Sequence, residues 1–380
     1  MSDLSLQLQQ ATGQLPVSSY FDEALFRQEL LRLFKGGPRY VGHSASVPEV
    51  GDYLTLAQEG HGRALVRTPG GVELISNVCR HRQALMLQGR GSLNTTAPGS
   101  AAGHIVCPLH RWTYSGGSQG TAAPAGTLLG APHFPQDPCL DLKRYPLREW
   151  NGLLFEDNGR DVQADLAGMG PRHALDFSGY VLDRVEMHEC RYNWKTFIEV
   201  YLEDYHVAPF HPGLGSVVSC EDLRWEFREH YSVQTVGPAR HQAGTTPAYQ
   251  RWQAALRGYQ SAHTPEHGAI WLNYYPHIMV ESYPQVLTVS TLHPLSVDRT
   301  LNVVEFYYPE EIAAFERELV EAQQAAYMET CKEDDEIAER MDSGRRALLQ
   351  RGDNEVGPYQ SPMEDGMQHF HDWYRQQMQA

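Results

Sequence analysis

Two short segments each pair a thiol with an imidazole. Cys79 and His81 open CRHRQALMLQGRG (79–91), and Cys107 and His110 stand in CPLHRWTY (107–114). Thiolates hold iron-sulfur clusters, and replacing two of them by imidazoles on one iron of a [2Fe-2S] pair removes negative charge and raises the reduction potential. Cys79 and Cys107 would then bind one iron, and His81 and His110 the other. Zinc also accepts Cys and His in tetrahedral sets, but usually through Cys-x-x-Cys and His-x3-His units. Here the two types alternate within each pair, which points to an iron-sulfur centre.

A second constellation lies in NWKTFIEVYLEDYHVAPFHPGL (193–214), where His206 and His211 stand five residues apart. On an uninterrupted helix their side chains would diverge by roughly 140°. Pro209 is expected to break the helix between them and let His211 swing back toward His206. Two histidines and one carboxylate, with coordination positions left open, suit an Fe(II) that must bind oxygen. Taken alone, the pair equally fits two exposed or core-satisfied histidines.

The Cys/His segments resemble the cluster-binding segments of Rieske non-heme iron oxygenases. Residues 193–214 resemble that family's iron-binding helix, which opens with Asn-Trp and carries an acid three residues before the first His. The resemblance runs nearly end to end, through an amino-terminal helix, the strand segments AIWLNYYPHIMVESYP and VVEFYYPEE, and an acidic late helix. It implies an α+β chain: an N-terminal helical segment (1–39) that joins the catalytic domain, an all-β Rieske [2Fe-2S] domain (40–156), and a helix-grip, START-like catalytic domain (157–380) with an antiparallel sheet and long helices. It also implies a third iron ligand in KEDDEIAERMDSG (332–344), where the family places its acid in a Glu-Asp pair about five residues before another Glu, here Glu339. That acid is Asp334, with the adjacent Asp335 as the alternative, and most of the other carboxylates of the segment read as a solvated helix face.

Two departures from the family pattern stand out. The 25 residues between His81 and Cys107 are more than the family usually has, and the excess coincides with SLNTTAPGSAAG (92–103), read as a surface loop extension. Glu203 occupies a position where most members have Asp, and a Glu there resembles the subgroup that oxidises quaternary ammonium compounds such as carnitine. In the family this acid bridges a cluster-ligating histidine of one subunit and an iron-ligating histidine of its neighbour. The resemblance thus implies Glu203 as the inter-subunit electron-transfer bridge, sharing a helix face with His206, within a head-to-tail ring, usually a trimer. Asp204, one residue on, reads as a structural or surface acid.

By resemblance the chain is a terminal oxygenase component. NAD(P)H electrons would arrive through a ferredoxin or flavin reductase, O2 would be the co-substrate at a mononuclear Fe(II), and a small organic molecule, aromatic or quaternary amine, would be mono- or dioxygenated or demethylated. Leu202, Val207 and Phe210 are the pocket residues expected beside the ligands. Trp271, Tyr274 and Tyr283 could stack on a ring or surround a cation, and are equally ordinary core residues. The alternative, an electron-transfer protein without oxygenase activity, would need only residues 40–156 and leaves His206, His211 and Asp334 unexplained.

The elements that must position these groups follow from the rest of the text. Phe21, Leu25, Leu30, Leu31 and Phe34 fall near helical spacing over residues 20–35. From Tyr40 to about Glu156 short β-rich runs alternate with Gly and Pro. Residues 157–182 read as a polar linker, RVEMHECRY as a strand and NWKTFIEVYLEDYH as a helix. Residues 237–268 read as a mobile cover with an amphipathic patch, four strands follow, and Glu310 to about Gln350 is strongly helical. The 41% hydrophobic and 21% charged content are those of a folded globular chain. A net charge of −16 argues against nucleic-acid binding. The start has no secretory pattern and no apolar run reaches about 18 residues, so the expectation is a cytoplasmic protein without a membrane partner. Six scattered cysteines form no disulfide framework.

Overall fold

Short, Gly-interrupted strands dominate the first half of the chain. The computed structural model describes residues 8, 13–94, 102–117, 123–136, 138–239, 245–259 and 266–379. The chain divides into two units, Pro38–Gln163 and Met1–Gly37 with Ala164–Ala380. In the first unit the strands are β1 (Tyr40–His43), β2 (Asp52–Thr55), β3 (Arg63–Thr68), β4 (Gly71–Ser76), β5 (Arg90–Ser92), β6 (His104–Val106), β7 (Thr113–Ser115), β8 (Leu128–Gly130), β9 (Arg144–Tyr145), β10 (Leu147–Trp150) and β11 (Leu153–Glu156). They form antiparallel sheets ordered β5-β2-β3-β4-β9, β1-β11-β10 and β6-β7-β8. Val66, Ile75, Ile105, Trp112 and Tyr114 pack into one core cluster together with Cys79 and Cys107. Of the expected loop extension, residues 95–101 lie outside the described residues. Its base is closed, because the Gly103 N–H donates to the Leu93 carbonyl at 2.8 Å.

The second unit is organised by one antiparallel sheet of β12 (Tyr180–Cys190), β13 (Val218–Arg228), β14 (Tyr231–Pro238), β15 (Ala269–Tyr274), β16 (Ile278–Tyr283), β17 (Val286–Ser296) and β18 (Arg299–Pro309), in the order β12-β18-β17-β16-β15-β14-β13. Its helices are α1 (Glu23–Glu29), α2 (Trp194–Tyr201), α3 (Val207–Phe210), α4 (Pro247–Tyr259), α5 (Glu310–Phe315), α6 (Arg317–Arg351) and α7 (Asp365–Gln379). Central strands β15 to β17 are buried along most of their length, which explains their near-continuous apolar runs. Helix α6 ends where Gly352 adopts φ 77° and its N–H caps the carbonyls of Leu348 and Leu349, a conformation glycine reaches without a Cβ clash.

Several sequence expectations need correction. The 157–182 segment is not a loose linker: Leu166, Met169, Leu175 and Phe177 are buried, and Phe177 meets Tyr307 edge to face at 5.1 Å. In the first helical segment Leu31 is 62% exposed while Leu33 is buried, because Leu30–Lys35 winds as a π-helix and the wider turn moves the inward stripe. The sequence reading had no strand at β13, an edge strand whose run CEDLRWEF carries charges on exposed (Glu221, Arg224) and half-buried (Asp222, Glu226) positions alike. It had no α7 either.

The helix expected over 193–206 stops at Tyr201. The Asp204 N–H goes to the Met363 carbonyl at 3.0 Å, so a C-terminal segment takes the donor that a continuing helix would have used. Pro209 therefore does not break a helix between the histidines. It sits in the first turn of α3, whose N-cap is His206, where its missing N–H costs nothing.

Helix α2 is fastened by buried charge. Lys195 Nζ pairs with Glu29 Oε1 at 2.6 Å, both side chains essentially inaccessible, and Trp194 Nε1 donates to the other Glu29 oxygen at 2.9 Å. Removing one partner of such a pair strands the other, at a cost of about 3–5 kcal/mol. Lys195→Met should lower the unfolding free energy by that order in urea titration, and adding Glu29→Gln should restore part of it; a double variant no more stable than Lys195→Met would break this account.

Candidate functional site

Two loops of matched build carry the Cys/His pairs. One follows β4 and the other joins β6 to β7. In each, the residue four beyond the cysteine sits at positive φ, Gln83 at 57° and Arg111 at 62°. Each also returns its N–H to the cysteine carbonyl, at 3.1 Å in both loops. The tight returns bury the thiols of Cys79 and Cys107 while leaving His81 half-buried and His110 exposed. The two imidazole rings lie 4.6 Å apart, and His81 stacks on Trp112 at 5.0 Å. Tyr114 Oη lies 3.6 Å from Cys79 Sγ and accepts from the Arg80 N–H at 3.1 Å. His81 Nδ1 is buried with no hydrogen-bond partner among the described residues. Two buried thiols, paired imidazoles and an orphaned ring nitrogen fit a [2Fe-2S] cluster with cysteines on its inner iron and histidines on its outer one.

In the second unit His206, His211 and Asp334 converge. His206 Nε2 lies 2.9 Å from His211 Nε2, and Asp334 Oδ1 lies 2.9 Å from His211 Nε2 and 3.5 Å from His206 Nε2. The far nitrogens face carboxylates. His211 Nδ1 lies 2.7 Å from Glu333 Oε2. Glu203 Oε1 sits 2.6 Å from His206 Nδ1, off the ring's N–H direction, while Glu203 Oε2 accepts from the His206 backbone N–H at 3.0 Å. Glu203 therefore supports His206 across a turn rather than along the face of a helix. Burial would lower the His206 pKa, yet Asp334 and Glu203 raise it to about 10. Three carboxylates around two imidazoles make an anionic nest that suits a dication, with the side-chain carboxylates fixing ring orientation.

Asp335 points elsewhere. Its oxygens take His188 Nε2 at 2.7 Å and the Tyr192 hydroxyl at 2.9 Å. With Cys190 it forms a second group of potential metal-binding atoms, one whose carboxylate is already hydrogen-bonded on both oxygens. Glu333, to which the sequence assigns no role, meets His211. Only the position of α6 against α3 reveals this, since nothing in the sequence separates it from its neighbours.

A pocket opens onto the triad, lined in part by Val207, Trp271 and Tyr283. The other expected pocket residues lie elsewhere: Leu202 is buried in a core with the amino-terminal segment and α7, Phe210 packs beside the His211 ring at 5.5 Å, and the Tyr274 hydroxyl bonds Asp165. The sequence reading did not single out Tyr249 and Trp252 of α4, Tyr327 of α6 or Glu281 of β16, all on the pocket wall. Of the supposed cover, residues 240–244 and 260–265 lie outside the described residues. The helix between them packs Tyr249 and Trp252 inward and leaves Tyr259 exposed. Asp204 is 3% exposed and lines the pocket, so it is no surface acid, and burial pushes it up to about 7.

Against known proteins, residues 38–135 match the Rieske [2Fe-2S] domain and residues 174–380 the ring hydroxylating alpha subunit catalytic domain. The chain is 64% identical to a putrescine 2-hydroxylase of Ralstonia nicotianae, over 100% of both chains. It is 59% identical to a putrescine 2-hydroxylase of Bordetella bronchiseptica, over 97% of this chain and 85% of that one. A crystal structure of a quaternary ammonium Rieske monooxygenase superposes with TM-score 0.73 at 19% identity, covering 99% of this chain and 98% of the other.

The geometry gives two expected outcomes. Asp334→Asn should cost the protein its mononuclear iron while the cluster's iron and sulfide stay, whereas Asp335→Asn should keep both; metal and sulfide analysis of the purified variants decides. A ferrous ion needs a neutral imidazole, and His206 is protonated below about 10 in the metal-free protein. Ferrous binding to the apo site should therefore release protons and weaken as pH falls, seen as a pH-dependent dissociation constant by titration.

Proposed function

The chain belongs to the Rieske oxygenases, oxidoreductases with a [2Fe-2S] cluster and a mononuclear iron, and from that premise we propose that it hydroxylates a short aliphatic diamine of the putrescine kind. In this reading Cys79, His81, Cys107 and His110 hold the cluster, and His206, His211 and Asp334 hold the mononuclear iron. When bound, the two metal centres supply electrons and reduce O2, so that one oxygen atom enters a C–H bond of the substrate and the other leaves as water, two electrons and two protons being taken up.

The protein's own side chains do the rest. Glu333 accepts the Nδ1–H of His211 and so leaves Nε2, which lies beside Asp334 Oδ1, as the nitrogen free to ligate a metal. Trp271 and Tyr283 wall the reacting region and exclude water. Glu203, Asp204, Glu281 and Asp334 line the pocket, and none of the described lining residues is Lys or Arg. This last observation carries the reading. Such a field attracts a cation and repels an aromatic carboxylate, and it fits the two curated relatives whose names specify a diamine. Those relatives narrow the substrate from the aromatic or quaternary amine that family resemblance alone implies.

The family implies a ferredoxin or reductase as electron donor. We take the source to be NAD(P)H, the assembly to be a head-to-tail homotrimer and the setting to be the cytoplasm. No described helix is long and apolar enough to cross a membrane. Glu203, beside His206 with its side chain 18% exposed, is the residue that would carry contact to a neighbouring subunit's cluster.

Oxygen uptake with a surrogate reductase should be stimulated by putrescine, which should gain a hydroxyl labelled from isotopic O2, and not by benzoate. Turnover of aromatic acids with no response to any diamine would overturn the proposal. Glu203→Gln should keep both metals yet lose most turnover, with the cluster reduced but the ferric mononuclear site left oxidised in freeze-quench spectra.

A further inference from the structure

Strand β16 places a carboxylate in the apolar wall of the pocket. Glu281 is 3% exposed and pairs across the sheet with Trp271. Tyr283, two residues along, points to the same face. The Trp271 and Tyr283 rings meet at 6.1 Å, and Trp252 approaches Tyr283 at 6.2 Å. The Tyr327 hydroxyl donates to Glu281 Oε1 at 3.0 Å, and among the described residues Glu281 has no ion-pair partner. On the same pocket wall the Tyr201 hydroxyl is buried with no hydrogen-bond partner among the described residues.

A buried carboxylate without a counter-charge is costly, and structural acids of this burial are normally paired. Glu29 and Glu199 in this same protein follow that rule, each held by a cation. Glu281 instead faces aromatic rings and the neutral hydroxyls of Tyr327, Tyr283 and Thr288, and burial outweighs these to push it up to about 7. The missing element is a cation that arrives from outside. Aromatic faces favour ammonium over other cargo, and the Tyr327 and Tyr201 hydroxyls supply further polar contacts. Glu281, His206, His211 and Asp334 line the same pocket, so a cation held at Glu281 shares the cavity with the triad.

Resting on the diamine reading, we infer that Glu281 binds one ammonium group of the substrate within the Trp271–Tyr283–Trp252 wall and so sets the enzyme's preference for primary amines. Neutral diols lack the charge that relieves the buried carboxylate, and carboxylic acids add a second negative charge. Glu281 thus selects by charge while the aromatic wall selects by girth. A trimethylated ammonium would present methyl groups to Glu281 where a primary ammonium presents three N–H donors. A primary amine is therefore preferred over a quaternary one.

Anaerobic calorimetric titration of the holoenzyme with putrescine, butylamine and butanediol should show affinity falling at each step as ammonium groups are removed. Equal binding of butanediol and putrescine by the wild type would overturn the inference without any variant. Glu281→Gln keeps the side chain's shape and its hydrogen bond to Tyr327. It should raise the putrescine KM on the order of a hundredfold, leave kcat far less changed, and shrink the binding preference for putrescine over butanediol. An unchanged KM in Glu281→Gln, beside a wild type that hydroxylates putrescine, sinks the Glu281 assignment alone. A wild type that ignores every diamine sinks the diamine reading with it.

Discussion

The catalytic unit depends on charges buried beneath helix α2. Glu29 meets Lys195, Trp194 and Tyr374. One turn on, Glu199 is held by Arg345, His371 and Tyr20, and despite its burial these partners lower its pKa to about 2. Asp342 binds the start of the same helix, through the Asn193 N–H at 2.8 Å and the Thr196 hydroxyl at 2.6 Å. The amino-terminal segment, α6 and α7 thereby share one set of polar contacts with α2, and each contact is expensive to break because water cannot replace it. The position at which α2 ends, and so the place where His206 emerges, is fixed from below.

Helix α6 links that clamp to the chemistry. Asp342 and Arg345 grip α2, and Asp334 lies eight residues earlier on the same rod, about 12 Å along its axis. A continuous helix holds such a separation rigidly, so fastening one end sets the approach of Asp334 and Glu333 to the histidines. Consecutive acids on this helix then serve different partners: Glu333 meets His211 Nδ1, Asp334 faces the converging nitrogens, and Asp335 bonds His188 and Tyr192. The step of about 100° per residue sorts three similar side chains into three environments.

The pocket shows a different use of buried acids. Around α2 each carboxylate has its cation within the protein, and the result is rigidity. In the pocket wall Glu281 is buried with no ion-pair partner among the described residues, and burial raises its pKa to about 7. The sheet supplies the aromatic half of the pocket through the pairing of β15 with β16, and α4 closes it with Tyr249 and Trp252, whose rings sit 5.7 Å apart. Sheet and helices thus provide the frame, while a few side chains choose what enters.

Much of this protein was legible in the residue string. The alternation of Cys and His fixed the kind of cluster, because few other groups want soft thiolates and imidazoles in that order. The Asn-Trp-to-His segment and the late acidic helix supplied the His206, His211 and Asp334 set that the structure brings together, and the strand runs at β15 to β18 were plain from their apolar content. What the string left open was direction. The break before His206 arises from a backbone bond to Met363, more than 150 residues away. The division of labour among Glu333, Asp334 and Asp335 follows from which side of α6 faces α3. The exclusion of Leu202, Phe210 and Tyr274 from the pocket, and the entry of Glu281, follow from which face of each element turns inward. Residue types and spacings determine which chemistry a chain is capable of; contacts between segments distant in sequence decide which of several chemically equivalent side chains carries it, because only packing sets orientation.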